Sequence, residues 1–162
     1  MNKIRVLLKK IMGNKTIKPF NIKKAKVVIL GTHPGEKSLE KKEYYSNPQN
    51  QFWELTRITE KDYEKRLEKL KEKEIGLWDV IMFCDRDGSA DKNIKNEVYN
   101  NLSLLKDKRV FFNGKKAYEY YIKANKKHKF NLNISKSNIL PSSNRACAIK
   151  NKKQKWNKIF TI

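Results

Sequence analysis

Asn47 and Asn50 stand on either side of Pro48, with Tyr44 and Tyr45 just before them and Phe52 and Trp53 just after. Upstream, Gly31-Thr32-His33-Pro34-Gly35 follows directly on the apolar run Val27–Leu30. Together these residues suit a flat, uncharged, polar ligand. A ring can stack on it, carboxamides can hydrogen-bond to it, and a Gly/Pro-framed main chain can approach it closely. A carboxamide is too weak a base to deprotonate water outright, but it can position water or stabilise developing charge. A reaction with a loose, cationic transition state needs no more. Asn50 also stands where a helix N-cap is expected, accepting from the N–H groups of the first turn, and both readings stay open. His33 offers either a general acid–base or a backbone hydrogen bond. Tyr45, in the loop, is the better stacking residue, since base–aromatic stacking is worth about 1–3 kcal/mol per base. Phe52 and Trp53 open a helix and read as core.

Other constellations say less. The glycine loop lacks the GxGxxG spacing and the GK[ST] ending, which argues against a mononucleotide phosphate loop. Asp79, Asp85, Asp87 and Asp91 raise a magnesium-dependent nuclease, but their spacing fixes no two-metal geometry, and they read mainly as turn and cap residues. Pro141-Ser142-Ser143-Asn144-Arg145 is a polar turn with one cation, suited to a phosphate contact.

The elements that must position these residues alternate between strand and helix. Ala25–Gly31 is the first strand, ending at a glycine. Residues 32–49 read as loop and Gln51–Thr56 as a short helix. Glu60–Lys73 reads as a surface helix with Tyr63, Leu67 and Leu70 on its apolar stripe. Ile75–Phe83 is a second buried segment, and Asn96–Leu105 is expected to be helical. Arg109–Asn113 is a strand, Gly114 opens a helix over Lys115–Lys123, and Lys123–Lys136 reads as loop. Asn138–Leu140 is a short strand. Lys150–Ile159 is a basic helix with Trp156 and Ile159 facing inward. This order predicts an α/β domain around a mainly parallel sheet, preceded by a basic leader over residues 1–24. Lys3, Arg5, Lys9, Lys10, Lys15, Lys18, Lys23 and Lys24 of that leader could touch phosphate. Residues 25–162 form the single domain.

The chain has 162 residues, 38 Lys and Arg against 17 Asp and Glu, and a net charge of +21. That imbalance predicts attraction to a polyanion through counterion release; a Lys- and Asn-rich composition alone is the competing explanation. Self-repulsion at this charge favours a monomer. Cys84 and Cys147 have no CxxC spacing, and there are two histidines, so neither a disulfide framework nor a zinc site is expected. Free thiols fit a reducing cytoplasm, and no apolar run is long enough for a membrane span.

Taken together, the motifs resemble the uracil-DNA glycosylase superfamily, and within it the hypoxanthine-DNA glycosylase branch related to mismatch-specific uracil/thymine glycosylases. The resemblance rests on Gly-x-x-Pro-Gly followed by Tyr-Tyr-x-x-Pro-x-Asn-x-Phe-Trp, here Gly31 to Trp53. Gly76–Val80 with Cys84, Arg86 and Gly88-Ser89, Phe112–Ala117, and Leu140–Ser143 support it. The resemblance implies a three-layer α/β/α sandwich around a four-stranded sheet. It also implies hydrolysis of the N-glycosidic bond of a deaminated base, without metal or cofactor. Asn50 would carry the catalytic asparagine, Gly31 to Gly35 the pocket floor and Tyr45 the stacking ring. Leu140 to Arg145, including Ser142, Ser143 and Asn144, would carry the DNA-intercalating loop. Many superfamily members place Asp or Asn at the position of His33 to handle the water, a duty that passes here to Asn50. Arg145 stands where Pro is expected, and Cys147 where Asn is.

On this reading the protein binds DNA by its basic face and extrudes the damaged nucleotide. Tyr45 stacks the base, and the main chain of Gly31, Thr32 and His33 reads its polar edge. Asn47 and Asn113 add carboxamides, and Asn50 holds the water. The alternatives are an inert nucleic-acid-binding domain on the same fold, a metal-dependent nuclease, and a lyase using a Schiff-base lysine.

Overall fold

The computed structural model describes Lys3 and residues 16–161. Arg5, Lys9, Lys10 and Lys15 of the expected leader lie outside the described residues. Four parallel strands form the main sheet: β1 (Val27–Gly31), β2 (Ile75–Asp79), β5 (Arg109–Asn113) and β6 (Ile139–Leu140), in the order β2-β1-β5-β6. β1 is buried at every residue, as a central parallel strand covered on both faces must be. Residues 16–24 do not hang free of this sheet. Phe20 bridges Leu77 antiparallel on the outer side of β2, and Ile17 and Phe20 pack on the apolar cluster there.

Alternate side chains along each strand feed opposite layers. Val28, Leu30, Val110 and Phe112 meet Ala117, Tyr121 and Ala124 of α4 (Lys115–His128). Val27, Ile29, Leu77 and Phe111 meet α2 (Phe52–Leu55), Leu70 of α3 (Tyr63–Glu72), and Trp156 at the end of α5 (Lys152–Trp156). Trp156 and Ile159 do face inward, and Trp156 Nε1 donates to Pro141 O at 2.8 Å. The three-layer α/β sandwich expected from the sequence is the fold observed.

Register fixes what the sheet presents. Gly31 is level with Asp79, and Asn113 with Leu140. The carboxyl edge therefore carries Gly31, Asp79, Asn113 and the loop after Leu140 side by side, the place where open α/β sheets hold ligands.

Four expectations change. Ile75–Phe83 is not one segment. β2 ends at Asp79, and β3 (Ile81–Asp85) turns away to pair antiparallel with β4 (Lys95–Tyr99). The turn is pinned by Val80 N–H on Gly31 O and Ile81 N–H on Thr32 O. Asn96–Leu105 is accordingly β4 followed by a single-turn helix at Leu102–Leu105; Val98, Leu102 and Leu105 have helical spacing, but pairing with β3 overrides it. The expected loop 32–49 contains a short helix, α1 (Glu36–Lys41). α4 continues to His128, past the expected Lys123, and its last turn carries Lys126, Lys127 and His128 against the negative end of the helix.

Candidate active site

At the carboxyl edge lies a cavity of about 300 Å³, lined by residues 31–38, Tyr44, Tyr45, Asn47, Asn50, Asp79, Ser89, Asp91, Asn113 and Ser142–Asn144. The first loop and the Tyr-Tyr segment thus converge, as their residue types suggested. Gly31 is there for close approach: a Cβ at this position would stand 2.6 Å from Asp79 Oδ1 and 3.5 Å from the Tyr45 hydroxyl.

Tyr45 is fixed from several directions. Its main chain is left-handed, with φ 53°, and its carbonyl accepts from Trp53 Nε1 at 3.0 Å. Its ring stacks on Phe52, and Asn113 Nδ2 donates to its hydroxyl at 3.2 Å. Burial, and then the nearby Asp79 carboxyl, push the phenol well above its ordinary range, so it stays protonated. Asn50 is not the N-cap of α2, a position held by Gln51; it stands one residue earlier and lines the cavity, and its Oδ1 accepts from Phe52 N–H at 2.9 Å in an Asx-type turn. That bond leaves the carboxamide NH₂ and a second Oδ1 lone pair for a ligand or water. Asn47 is more exposed, and its Oδ1 accepts from Gln49 N–H at 3.1 Å.

His33 Nδ1 lies 3.0 Å from Ile81 O. A carbonyl can only accept, so Nδ1 carries the hydrogen and Nε2 is a lone-pair acceptor. Burial lowers the His33 pKa to about 4; the bond to Ile81 opposes that shift and the Arg86 cation adds to it. The ring is therefore neutral at pH 7. Thr32 is buried and Gly35 lines the cavity wall, beside a Glu36 N–H that donates to Ser89 Oγ at 2.9 Å.

Asn113 was expected to offer its carboxamide to the ligand. Its carboxamide is instead engaged within the protein: Nδ2 donates to Ser143 Oγ at 2.8 Å as well as to Tyr45, and Oδ1 accepts from Ser143 N–H at 2.8 Å. Ser143, expected as a surface phosphate contact, is 1% exposed, and its carbonyl accepts from Gln51 N–H at 2.9 Å. It is a clamp inside the loop, because its polar groups tie β5 to the segment carrying Asn50. Ser142 lines the cavity, while Asn144 and Arg145 are exposed beside it, with Arg145 Nε on Gln49 O at 3.3 Å. A second, more open hollow of about 570 Å³ adjoins Asn47 and Asn50 and is bordered by Arg57, Lys61, Arg66, Arg145 and Lys153.

The sequence reading missed the contribution of the second buried segment. Asp79 is 6% exposed and lines the cavity. Burial, then the like charge of Asp91, raise its pKa to about 7, with Arg86 working against them. Asp91 is also raised by burial, opposed by a hydrogen bond with Thr32 and by the charges of Arg86 and Lys116. Arg86 donates through Nη2 to Pro34 O and through Nε to Gly88 O, which holds the glycine loop in place. The available signal was a carboxylate closing an apolar strand. Among the described residues, the aspartates form no group that could hold a metal ion with other His, Cys, Asp or Glu side chains.

Residues 17–161 match the family model of the uracil DNA glycosylase superfamily. The chain belongs to that superfamily. A hypoxanthine DNA glycosylase of Methanosarcina barkeri is 44% identical over 105 residues, which cover 58% of this chain and 66% of the relative. A hypoxanthine DNA glycosylase of Methanosarcina acetivorans is 41% identical over the same coverage. The match thus spans 66% of these curated relatives. A structure solved in solution by NMR, from Methanosarcina acetivorans and carrying a provisional uracil DNA glycosylase assignment, superposes with a TM-score of 0.70. It is 32% identical and covers 91% of this chain and 96% of its own. Membership in the uracil DNA glycosylase superfamily agrees with the first motif, Gly31 to Trp53, and with the branch that the motif resembles.

Proposed function

We propose that this chain is a monofunctional DNA glycosylase that hydrolyses the N-glycosidic bond of a deaminated base, hypoxanthine or uracil, swung out of DNA. One observation carries the reading: the Tyr45 ring, the Asn50 carboxamide and the Gly31–His33 main chain converge on one cavity at the carboxyl edge of the sheet. The names of the relatives favour hypoxanthine.

The glycosidic bond cannot be reached inside the base stack, so the nucleotide must leave it, most cheaply where pairing is already weak. The net charge of +21 draws the duplex in, and the hollow bordered by Arg57, Arg66, Arg145 and Lys153 takes a flanking stretch of backbone. Ser142, Asn144 and Arg145 meet the DNA, and Ser143 holds them from within. Tyr45, backed by Phe52, stacks the base. Gly31, Thr32 and Gly35 present main chain to its edge, His33 presents the Nε2 lone pair, and Asn47 lies at the rim. Asn113 serves by fixing Tyr45 and Ser143. Asn50 holds the water that meets C1′ as the sugar becomes oxocarbenium-like. No metal or cofactor enters this scheme. The free thiols of Cys84 and Cys147 suit the reducing cytoplasm, the proposed compartment, and like-charge repulsion favours action as a monomer. Among the described residues no helix is long and apolar enough to cross a membrane.

The test uses labelled duplexes carrying hypoxanthine, uracil or a thymine mismatch, incubated with and without EDTA and then treated with alkali. The expected result is strand cleavage only after alkali, unaffected by EDTA. Cleavage before alkali indicates a lyase, cleavage lost in EDTA a nuclease, and binding without product an inert domain.

A further inference from the structure

We propose that Asp79 is a catalytic acid of this site: in its protonated form it donates a hydrogen bond, and then its proton, to the extruded base as the glycosidic bond breaks. The proposal rests on the glycosylase reading above.

Asp79 closes β2 in register with Gly31, and its Oδ1 lies where a Gly31 Cβ would be crowded. The carboxyl thus lines the cavity against Gly31, the start of the loop that would face the base. It is 94% buried, and no hydrogen bond to its carboxyl is found among the described residues, while its main-chain carbonyl accepts from Asn100 Nδ2 at 2.8 Å. Its carboxyl oxygens are not among the fully buried side-chain atoms left without a partner, and the residue lines the cavity, so a ligand or water there can reach the carboxyl.

The charged and titratable groups around it decide its form. Asp91 bears a like charge, and Tyr44 and Tyr45 are protonated phenols held up by burial. His33 is neutral. Arg86 is the opposing cation, but it is directed to Pro34 O and Gly88 O, with Nη1 3.9 Å from Asp91 Oδ1. No cation is ion-paired with Asp79 among the described residues. The free enzyme near neutral pH therefore holds a large fraction of Asp79 as the acid, in keeping with its pKa of about 7.

An acid is what a departing lactam base requires. Deaminated bases carry a carbonyl next to a ring N–H, and a carboxylic acid carries an O–H next to a carbonyl, so the two can form a pair of hydrogen bonds. When the C1′–N bond breaks, its electron pair goes to the base, and negative charge spreads to the ring nitrogens and carbonyl oxygen. A carboxylate at this position would repel that charge, whereas the acid donates to it. The Asp79 proton passes to the base, the water oxygen bonds to C1′, and a proton released from that water reprotonates Asp79 through solvent. The sum is hydrolysis, with nothing added but water.

The test is single-turnover base release from a hypoxanthine duplex at pH 5.5–9, with wild type, Asp79→Asn and Asp79→Ala, alongside DNA affinity and thermal denaturation. The wild-type rate is expected to fall about tenfold per pH unit above the Asp79 pKa. Asp79→Asn keeps an N–H donor but no transferable proton; it should be slower at pH 6 and flat across the same interval. Asp79→Ala should lose on the order of a hundredfold, the scale of a missing transition-state donor, with DNA affinity unchanged. An alkaline fall in Asp79→Asn that matches wild type, or a wild-type rate in Asp79→Ala, overturns the proposal while leaving the glycosylase reading intact. A folded wild type that releases no base from any deaminated duplex overturns both. Should Asp79→Ala not fold, the Asp79→Asn profile decides.

Discussion

The phenol ring of Tyr45 lies flat on the ring of Phe52, with centroids 3.8 Å apart and planes 11° from parallel. Phe52 is fully buried, with Trp53 and Trp156 edge-on at 5.0 and 5.9 Å. A core side chain thereby sets the plane of a site side chain. Tyr45→Ala should weaken productive binding by about 1–3 kcal/mol, the worth of one stacked base, with the loss concentrated in KM. Phe52→Leu should cost both stability and activity, because it opens a gap beneath the ring. Single-turnover rates at limiting and saturating enzyme separate the two effects. Unchanged KM in Tyr45→Ala removes stacking from the mechanism.

Asn50 has two duties, so Asn50→Ala has two consequences. The Phe52 N–H loses its acceptor, at a cost of about 1 kcal/mol in stability, and base release should fall at least a hundredfold while DNA affinity persists. Asn50→Asp separates them, since an aspartate oxygen can accept the same Phe52 N–H that Asn50 Oδ1 accepts. Its melting temperature should match wild type, and any change in cleavage rate then reports on the water alone. Wild-type activity in Asn50→Ala removes this residue from the chemistry.

The fold and part of the candidate site were legible for one reason: their signals are local. Val27–Gly31 and Arg109–Asn113 are apolar runs stopped by polar or glycine residues, and both are strands within two residues of the expected bounds. The Gly31 to Trp53 motif carries its own residue types. What stayed hidden depends on contacts between distant segments. Asp79 reads as a turn residue until β2 is set level with Gly31, and Ser143 reads as surface until Asn113, thirty residues earlier, reaches it. β4 reads as helix because its partner β3 is not visible in its own spacing.

Asn113 lines the cavity and links Tyr45 to Ser143. Asn113→Asp keeps the acceptor for Ser143 N–H but no longer donates to Ser143 Oγ and Tyr45. Lost and unpaired hydrogen bonds of this kind cost about 1–3 kcal/mol. Base release should drop while the melting temperature falls by several degrees, and Tyr45→Phe, which removes only the hydroxyl, should show a smaller loss. If Tyr45→Phe is as damaging as Asn113→Asp, the hydroxyl, not the clamp on Ser143, is what matters.

His33 and Asp79 bias stability in opposite directions with pH. His33 titrates at about 4 in the folded chain against an ordinary 6.5. Between these values the unfolded chain binds the proton and the folded chain does not, so stability falls as pH drops from 6.5 to 4. Asp79 titrates at about 7 against an ordinary 3.8. Here the folded chain holds the proton, so stability falls as pH rises from 4 to 7. The two slopes oppose each other over the shared interval, and single variants separate them. Asp79→Asn should melt with wild type at pH 4 and progressively above it up to pH 7.5, with no further gain beyond. His33→Gln should gain on wild type as pH falls below 6.5. The ring keeps its hydrogen on Nδ1 for Ile81 O throughout, so protonation must place a charge on a buried ring; burial opposes it most, and the Arg86 cation adds to that. Melting curves for wild type and both variants from pH 4 to 8 check this, and differences that do not vary with pH would show that neither group is shifted.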